Sequence, residues 1–453
     1  MARAYRYPPG SVRRRLLIVL AAVLCAGGAA ATATGRVAGD PLQAQQWWLA
    51  DIGADPSQAP GPGVPITIID SGVDPTHPEF AGRPNTTFLD GQTVDEPGES
   101  HGTEVASLAV APENGVGLVG VYPQAIFESF DASPTGVITD SGAIQGILVA
   151  AQHCPGVISI SFGGTNRDPL LENAVLTAFH NGCLVVAAAG NGGLQGNPPE
   201  YPAAYPHVLT VGATDQNDQV APFSTLSPAL DLAAPGVAMF GAVPLSRDPS
   251  GYAFDLSGTS FSTPLVSAAA AWVWTLRPTL DVTQIFELMR HTARDVGPPG
   301  FDSGSGFGIV NIPAALAAPA PARDPSEPND DVDEVRPGAL FPDGRPLLTT
   351  AAKPSVRIAG HIDQSEDPHD LYRIFVPAHR VVRATVTAGG DAAARIWGPR
   401  TVGIGEGILS RRRDLKGPLI RGGNTSSEAY VDVLLTGRST SASYVLSVTA
   451  SRR

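Results

Sequence analysis

Basic residues are scarce in this chain. Only 30 Lys and Arg stand against 43 Asp and Glu in 453 residues, a formal net charge of −13. Nothing in that balance would neutralise a phosphate backbone, which excludes a nucleic-acid partner. Charge of either sign is also low, at 16%, while 43% of residues are apolar. That composition excludes wholesale disorder and leaves ample material for buried cores. Beyond the first thirty or so residues no apolar run is long enough to span a bilayer. No internal repeat is found, and the length suits two or three folded units. What the chain has in quantity is Gly (50) and Pro (42), so many turns and close backbone approaches are expected.

The N-terminus reads as an export signal. Arg3, Arg6, Arg13, Arg14 and Arg15 form a positive region, Leu16–Ala26 is apolar but short for a membrane span, and Ala31-Thr32-Ala33 offers a small-residue cleavage site. The alternative is an uncleaved anchor. Cys25 follows the bulky Leu24, which argues against lipid attachment. A secreted (extracellular or periplasmic) protein is expected, a monomer with no stable membrane association after signal cleavage. Of the three cysteines, Cys154 and Cys183 would then remain. Each precedes a predicted strand, so either one disulfide or two buried thiols results.

Four units are expected: a signal peptide over 1–33, a large α/β unit over 34–318, a Pro/acidic linker over 319–346 and a β-sandwich over 347–453. In the second, apolar strands alternate with amphipathic helices. Strands are expected at Pro65–Asp70, Val157–Phe162, Leu184–Ala189 and Val208–Ala213, and helices at Gly142–His153 and Leu170–Asn181, the latter stopped by Gly182. Asp281 and Gln284 form a capping box. This order implies an α/β fold, a mostly parallel sheet with helices on both faces. Residues 319–346 are rich in Pro, Asp and Glu without periodicity. Beyond them, Val356–Ile362, Leu371–Val376, Val381–Ala388, Ala429–Leu435 and Ser443–Val448 read as short strands of a sandwich.

Three residue types are placed for nucleophilic catalysis. Asp70 ends the run Ile66-Thr67-Ile68-Ile69, and the carboxyl ends of parallel strands face the ligand crevice. Alone, Asp at a strand end is commonplace. His101 lies in His101-Gly102-Thr103, the most distinctive context of the nine histidines. Ser260 lies in Gly258-Thr259-Ser260-Phe261-Ser262-Thr263-Pro264, at the start of a small-residue helix through Ser267–Trp274. That helix start favours a developing oxyanion, and Pro264 is expected in its first turn. A serine hydroxyl needs a base, and the base an orienting acid; the alternative for Ser260 is a plain helix cap. Asn191, after Val185-Val186-Ala187-Ala188-Ala189-Gly190, is a side-chain amide that could donate to an oxyanion or simply shape a turn.

In the order Asp, His, Asn, Ser, the segments Ile-Ile-Asp-Ser-Gly, His-Gly-Thr, Ala-Ala-Gly-Asn and Gly-Thr-Ser-Phe-Ser-Thr-Pro resemble the subtilisin-like (subtilase) peptidases over residues 45–316. The resemblance implies a secreted serine endopeptidase that hydrolyses protein and peptide substrates through an acyl-enzyme, with no cofactor needed for catalysis and no catalytic metal. Ser260 would be nucleophile, His101 base, Asp70 its orienting acid and Asn191 the oxyanion donor. Ser161-Phe162-Gly163 resembles the family strand that pairs with substrate backbone. Glu79, Asn114 and carbonyls near Val116 and Leu118 resemble a structural calcium site of the family, a plain glycine-rich loop being the alternative. Phe261, Ser262 and Leu265-Val266-Ser267 depart from the usual Met, Ala and His-Val-Ala, as changes of helix packing. Gly192 and Gly193 follow Asn191 where some relatives carry an acid, which predicts no strong demand for a basic P1 side chain. The tail, with Glu327-Pro328-Asn329-Asp330, Asp370-Leu371-Tyr372 and Tyr444-Val445-Leu446, is similar to the bacterial pre-peptidase C-terminal β-sandwich.

Overall fold

In the computed structural model the described residues are 39–91, 99–134, 136–324, 326–364, 367–389, 391–404, 414–437 and 439–452. The expected signal peptide, with Cys25 and Ala31–Ala33, lies outside them.

The apolar runs form the sheet they predict. Seven strands, β1 (Ile66–Asp70), β2 (Thr86–Phe88), β3 (Phe127–Asp131), β4 (Gly156–Ile160), β5 (Cys183–Ala188), β6 (Val208–Thr214) and β7 (Leu232–Pro235), lie in the order β2-β3-β1-β4-β5-β6-β7, all parallel. Both faces are buried, so alternation of polarity is absent and alternation of direction replaces it. Leu184 and Val186 point into one core; Val185 and Ala187 point into the other.

The first core is covered by α1 (Trp47–Asp51), α2 (His101–Val110), the long α5 (Thr259–Leu276), α6 (Val282–His291) and α7 (Ile312–Ala317); the second by α3 (Asp140–Ala150) and α4 (Pro169–His180). Helix α5 lies under β4 to β7, and its fully buried run Ala268–Ala271 keeps it close to the strands. The Asp281–Gln284 capping box opens α6, and Gly182, at φ 91°, follows α4. Cys154 and Cys183 are joined in a disulfide with Cα atoms 5.0 Å apart. Register places the chemistry: Ile69 pairs with Ile160, and Ile160 with Ala187. Asp70, Ser161 and Ala188 therefore reach the same edge at one level.

A hairpin of β8 (Met239–Ala242) and β9 (Tyr252–Leu256) follows the sheet. Residues 319–346, expected as a linker, are packed instead. They contain the short helix α8 (Val332–Val335) and bury Asn329, Val332, Glu334, Val335 and Phe341. Phe341 stacks on His180 of α4 at 3.9 Å between ring centroids. The tail strands are β10 (Val356–Asp363), β11 (His369–Val376), β12 (Arg380–Ala388), β13 (Ala392–Trp397), β14 (Leu415–Gly417), β15 (Leu419–Arg421), β16 (Ser427–Leu435) and β17 (Ser441–Arg452). They form two four-stranded antiparallel sheets, β10-β17-β12-β15 and β11-β16-β13-β14, around an aliphatic core that includes Ile374, Val382, Val431 and Leu446. Arg290 of α6, itself buried, bonds Asp363 of β10 at 2.9 Å and lies 3.1 Å from Asp231, tying the two folded parts together.

Candidate active site

Asp70 is the last residue of β1 and is 1% exposed. Its Oδ1 accepts from the Ser71 N–H at 2.8 Å. The same oxygen lies 2.8 Å from His101 Nδ1, with Oδ2 at 3.1 Å. Against a carboxylate Nδ1 must donate, so in the neutral ring Nε2 carries the lone pair. His101 is the first residue of α2, and the Ser71-Gly72 turn fits directly against that helix start. The Gly102 N–H donates to Ser71 Oγ at 3.0 Å. A Cβ on Gly102 would lie 1.8 Å from the Gly72 carbonyl oxygen, so only glycine permits this approach.

Ser260 is the second residue of α5. Its Oγ donates to the Ser161 carbonyl at 2.9 Å, and its own carbonyl accepts from Ser161 Oγ at 3.0 Å. Pro264 explains the second bond. It lies inside α5, not in the first turn as expected. Lacking an N–H, it cannot bond the carbonyl four residues back, which is that of Ser260; Ser161 takes the vacancy in the ladder. The Phe261 ring sits 6.0 Å from the His101 ring, centroid to centroid, so this departure from the usual Met packs against the imidazole as well as the helix.

Asn191 is held by its oxygen. Oδ1 accepts from the Thr259 N–H at 3.0 Å and from Thr259 Oγ1 at 3.2 Å, and Thr259 Oγ1 accepts from the Gly190 N–H at 3.2 Å. The amide Nδ2 is thereby the end turned away from Thr259. A Cβ on Gly258 would meet it only at an ordinary 3.5 Å; glycine there keeps space beside the amide. Ser161 is buried, while Phe162 and Gly163 are half-buried just beyond β4. Gly164 makes an antiparallel bridge with Tyr201, with N–H···O bonds of 3.0 and 2.8 Å. The four sequence motifs are thus joined at one sheet edge: Asp70 bonds His101, His101 packs on Phe261, Ser260 bonds Ser161, and Thr259 bonds Asn191.

Two places have the donor sets of a cation site. In the first, Glu79 Oε1 accepts from the Leu118 N–H at 2.9 Å and the Tyr252 hydroxyl at 2.8 Å. Asp40 Oδ1 accepts from the N–H groups of Asn114, Gly115 and Val116. Glu79 Oε2 and Asp40 Oδ2 are buried with no hydrogen-bond partner, and burial pushes the Glu79 carboxyl up to about 7. Two orphaned carboxylate oxygens beside one loop fit a calcium ion. Glu79 and Asn114 were legible in the sequence; Asp40 was not. In the second, the ligand atoms of Asp324, Glu327 and Asp370 lie within 4.8 Å of one another, as do those of His207, Glu327 and Asp330. Sequence reading also passed over Glu200. Its half-buried carboxyl accepts from the Asn191 N–H, and burial raises its pKa.

The subtilase family model matches residues 61–308. The chain is 35% identical over 270 residues to Subtilisin DY of Bacillus licheniformis, covering 58% of this chain and 96% of that protein. It is 36% identical over 258 residues to Subtilisin Savinase of Lederbergia lenta, covering 56% and 91%. Among solved structures, Sphericase superposes with a TM-score of 0.50 at 27% identity over 59% of this chain and 97% of that one. The psychrophilic subtilisin-like protease Apa1 of Pseudoalteromonas sp. AS-11 shares the fold, with a TM-score of 0.53 at 21% identity over 60% and 97%.

Proposed function

Since this chain belongs to the subtilase family, and is a subtilisin-like serine endopeptidase, we propose that its acyl-enzyme forms on Ser260 and that its substrates are proteins met after export. His101 Nε2 takes the Ser260 Oγ proton as that oxygen attacks the scissile carbonyl, then returns it to the leaving amine. Asp70 holds Nδ1–H, fixing the tautomer and stabilising the imidazolium. Asn191 Nδ2 and the Ser260 N–H, which the start of a helix leaves without an intrahelical acceptor, bind the oxyanion. Substrate backbone lies along Ser161-Phe162-Gly163. Water attacks the acyl carbon with His101 as base and frees Ser260.

The observation that carries this reading is the 2.8 Å bond from Asp70 to His101 Nδ1, set at the sheet edge where Ser260 and Asn191 also lie. The arginine-rich leader before Ala33 supports export, and no helix among the described residues is long and apolar enough to cross a membrane. The catalytic unit is assigned to 34–318 and the sandwich to 347–453. A calcium ion held by Asp40, Glu79, Asn114 and nearby carbonyls would brace the 114–118 loop and supply no step of the chemistry. Hydrolysis of a protein substrate tests the assignment. Ser260→Ala lowers kcat on the order of 10⁶-fold, and Asn191→Ala about 10²–10³-fold with KM little changed, the scale known for subtilisin's own donor. Retained turnover in Ser260→Ala refutes it.

A further inference from the structure

We propose that Glu200 forms the floor of the pocket for the residue whose carbonyl is attacked, and that it selects substrates with Lys or Arg at P1. This rests on the Ser260 reading above and names the substrate class of that same site. Two chain segments run past the reaction centre side by side. Residues 161–164 continue β4, and residues 189–191 continue β5 into the oxyanion amide. The side chain at P1 leaves the scissile carbon beside Ser260 Oγ and Asn191 Nδ2, so it enters the gap between these segments. Glycine lines both walls, at Gly163 and Gly164 on one side and Gly190 on the other.

The Glu200 carboxylate closes that gap. A Cβ on Gly190 would lie 2.3 Å from its Cδ, and one on Gly163 would lie 3.2 Å from its Oε2. The carboxylate therefore touches both walls at once, and side chains at these two positions would expel it. Its backbone is pinned there, since the next residue, Tyr201, bridges Gly164 in both directions. The carboxylate accepts the Asn191 N–H, which sets it directly behind the oxyanion donor.

A half-buried carboxylate set between glycine walls can be met by a cation of matching reach, and an ammonium or guanidinium makes charge-assisted bonds there. The chain's net charge of −13 adds long-range attraction for cationic peptides. The sequence-based expectation differs because it looked for the acid directly after Asn191, at Gly192 and Gly193. The fold brings it from the following segment instead.

Fluorogenic peptides varied only at P1 test this, with full-length wild type, Glu200→Gln and Glu200→Ala, each checked by fluorophosphonate labelling at Ser260. Wild type should cleave after Arg or Lys on the order of 10²-fold more efficiently, in kcat/KM, than after Leu. Glu200→Gln and Glu200→Ala should cut that ratio by roughly 10–100-fold, which a merely structural role would leave in place. A wild-type preference for Leu or Phe over Arg and Lys overturns the proposal even if neither variant folds, as does an unchanged ratio in Glu200→Gln. Ser260-dependent cleavage without the ratio sinks this inference alone. Cleavage that survives Ser260→Ala sinks the reading beneath it.

Discussion

Asp70 ends β1 in register with Asp131 of β3, whereas Glu327, Asp330, Asp367 and Asp370 crowd together where the 324–330 segment meets β11. All are largely buried, and their surroundings differ in kind. Both oxygens of Asp70 face donors, the Ser71 N–H and His101 Nδ1. In the crowd, Glu327 Oε2, Asp330 Oδ1, Asp367 Oδ1 and Asp370 Oδ1 are buried without a hydrogen-bond partner. Desolvation first, and neighbouring carboxylates next, hold the pKa of Glu327, Asp367 and Asp370 well above the usual carboxylate range. A buried charge is stable only when donors or counter-charge replace water. At the candidate site fixed donors, the Ser71 N–H and His101 Nδ1, take the place of the water that Asp70 loses. In the acid crowd Tyr444, Asn329 and His207 each reach one oxygen, of Asp370, Glu327 and Asp330 in turn, and the oxygens left over call for protons or a cation. Pairs reaching across from the catalytic unit, His207 to Asp330 at 2.9 Å and Arg290 to Asp363 at 2.9 Å, put part of the counter-charge on the other folded part.

The contrast can be broken from either side. Asp70→Asn keeps the shape and removes the charge, so kcat should fall about 10⁴-fold through the wrong imidazole tautomer, with the melting temperature little changed; steady-state kinetics beside a thermal scan separates the two effects. At the junction the order reverses. Arg290→Met strands Asp231 and Asp363, and stability should fall by roughly 3–5 kcal/mol, read by calorimetry, while the specific activity of the folded fraction persists. Chelation has the smallest effect. EDTA should lower the melting temperature by several degrees if a cation answers the orphaned oxygens of Asp40 and Glu79 or of the acid crowd. An unchanged transition means that protons satisfy them instead.

The segments that the fold gathers at the candidate site were easier to single out in the sequence than the frame around them. Asp70, His101, Asn191 and Ser260 lie in short motifs whose chemistry is local, and hydrophobic runs predicted β1, β4, β5 and β6 to within a residue or two at each end. Burial from distant partners was not legible. Residues 319–346 read as a linker because Pro and acids dominate them, yet Val332, Val335 and Phe341 are buried by elements far off in sequence. Strand β13 opens Ala392-Ala393-Ala394, a triplet without polar alternation. Pro264 looked like a first-turn residue, because only the Ser161 hydroxyl, brought by β4, makes its deeper place tolerable. Glu200 carries no motif at all; its position follows from the bridge between Gly164 and Tyr201.

The most direct measurement is the mass of the intact protein after reaction with a fluorophosphonate, followed by peptide mapping. A single adduct on Ser260, absent from Ser260→Ala and from protein inhibited beforehand, is the predicted result. An adduct elsewhere, or labelling that survives Ser260→Ala, would contradict it.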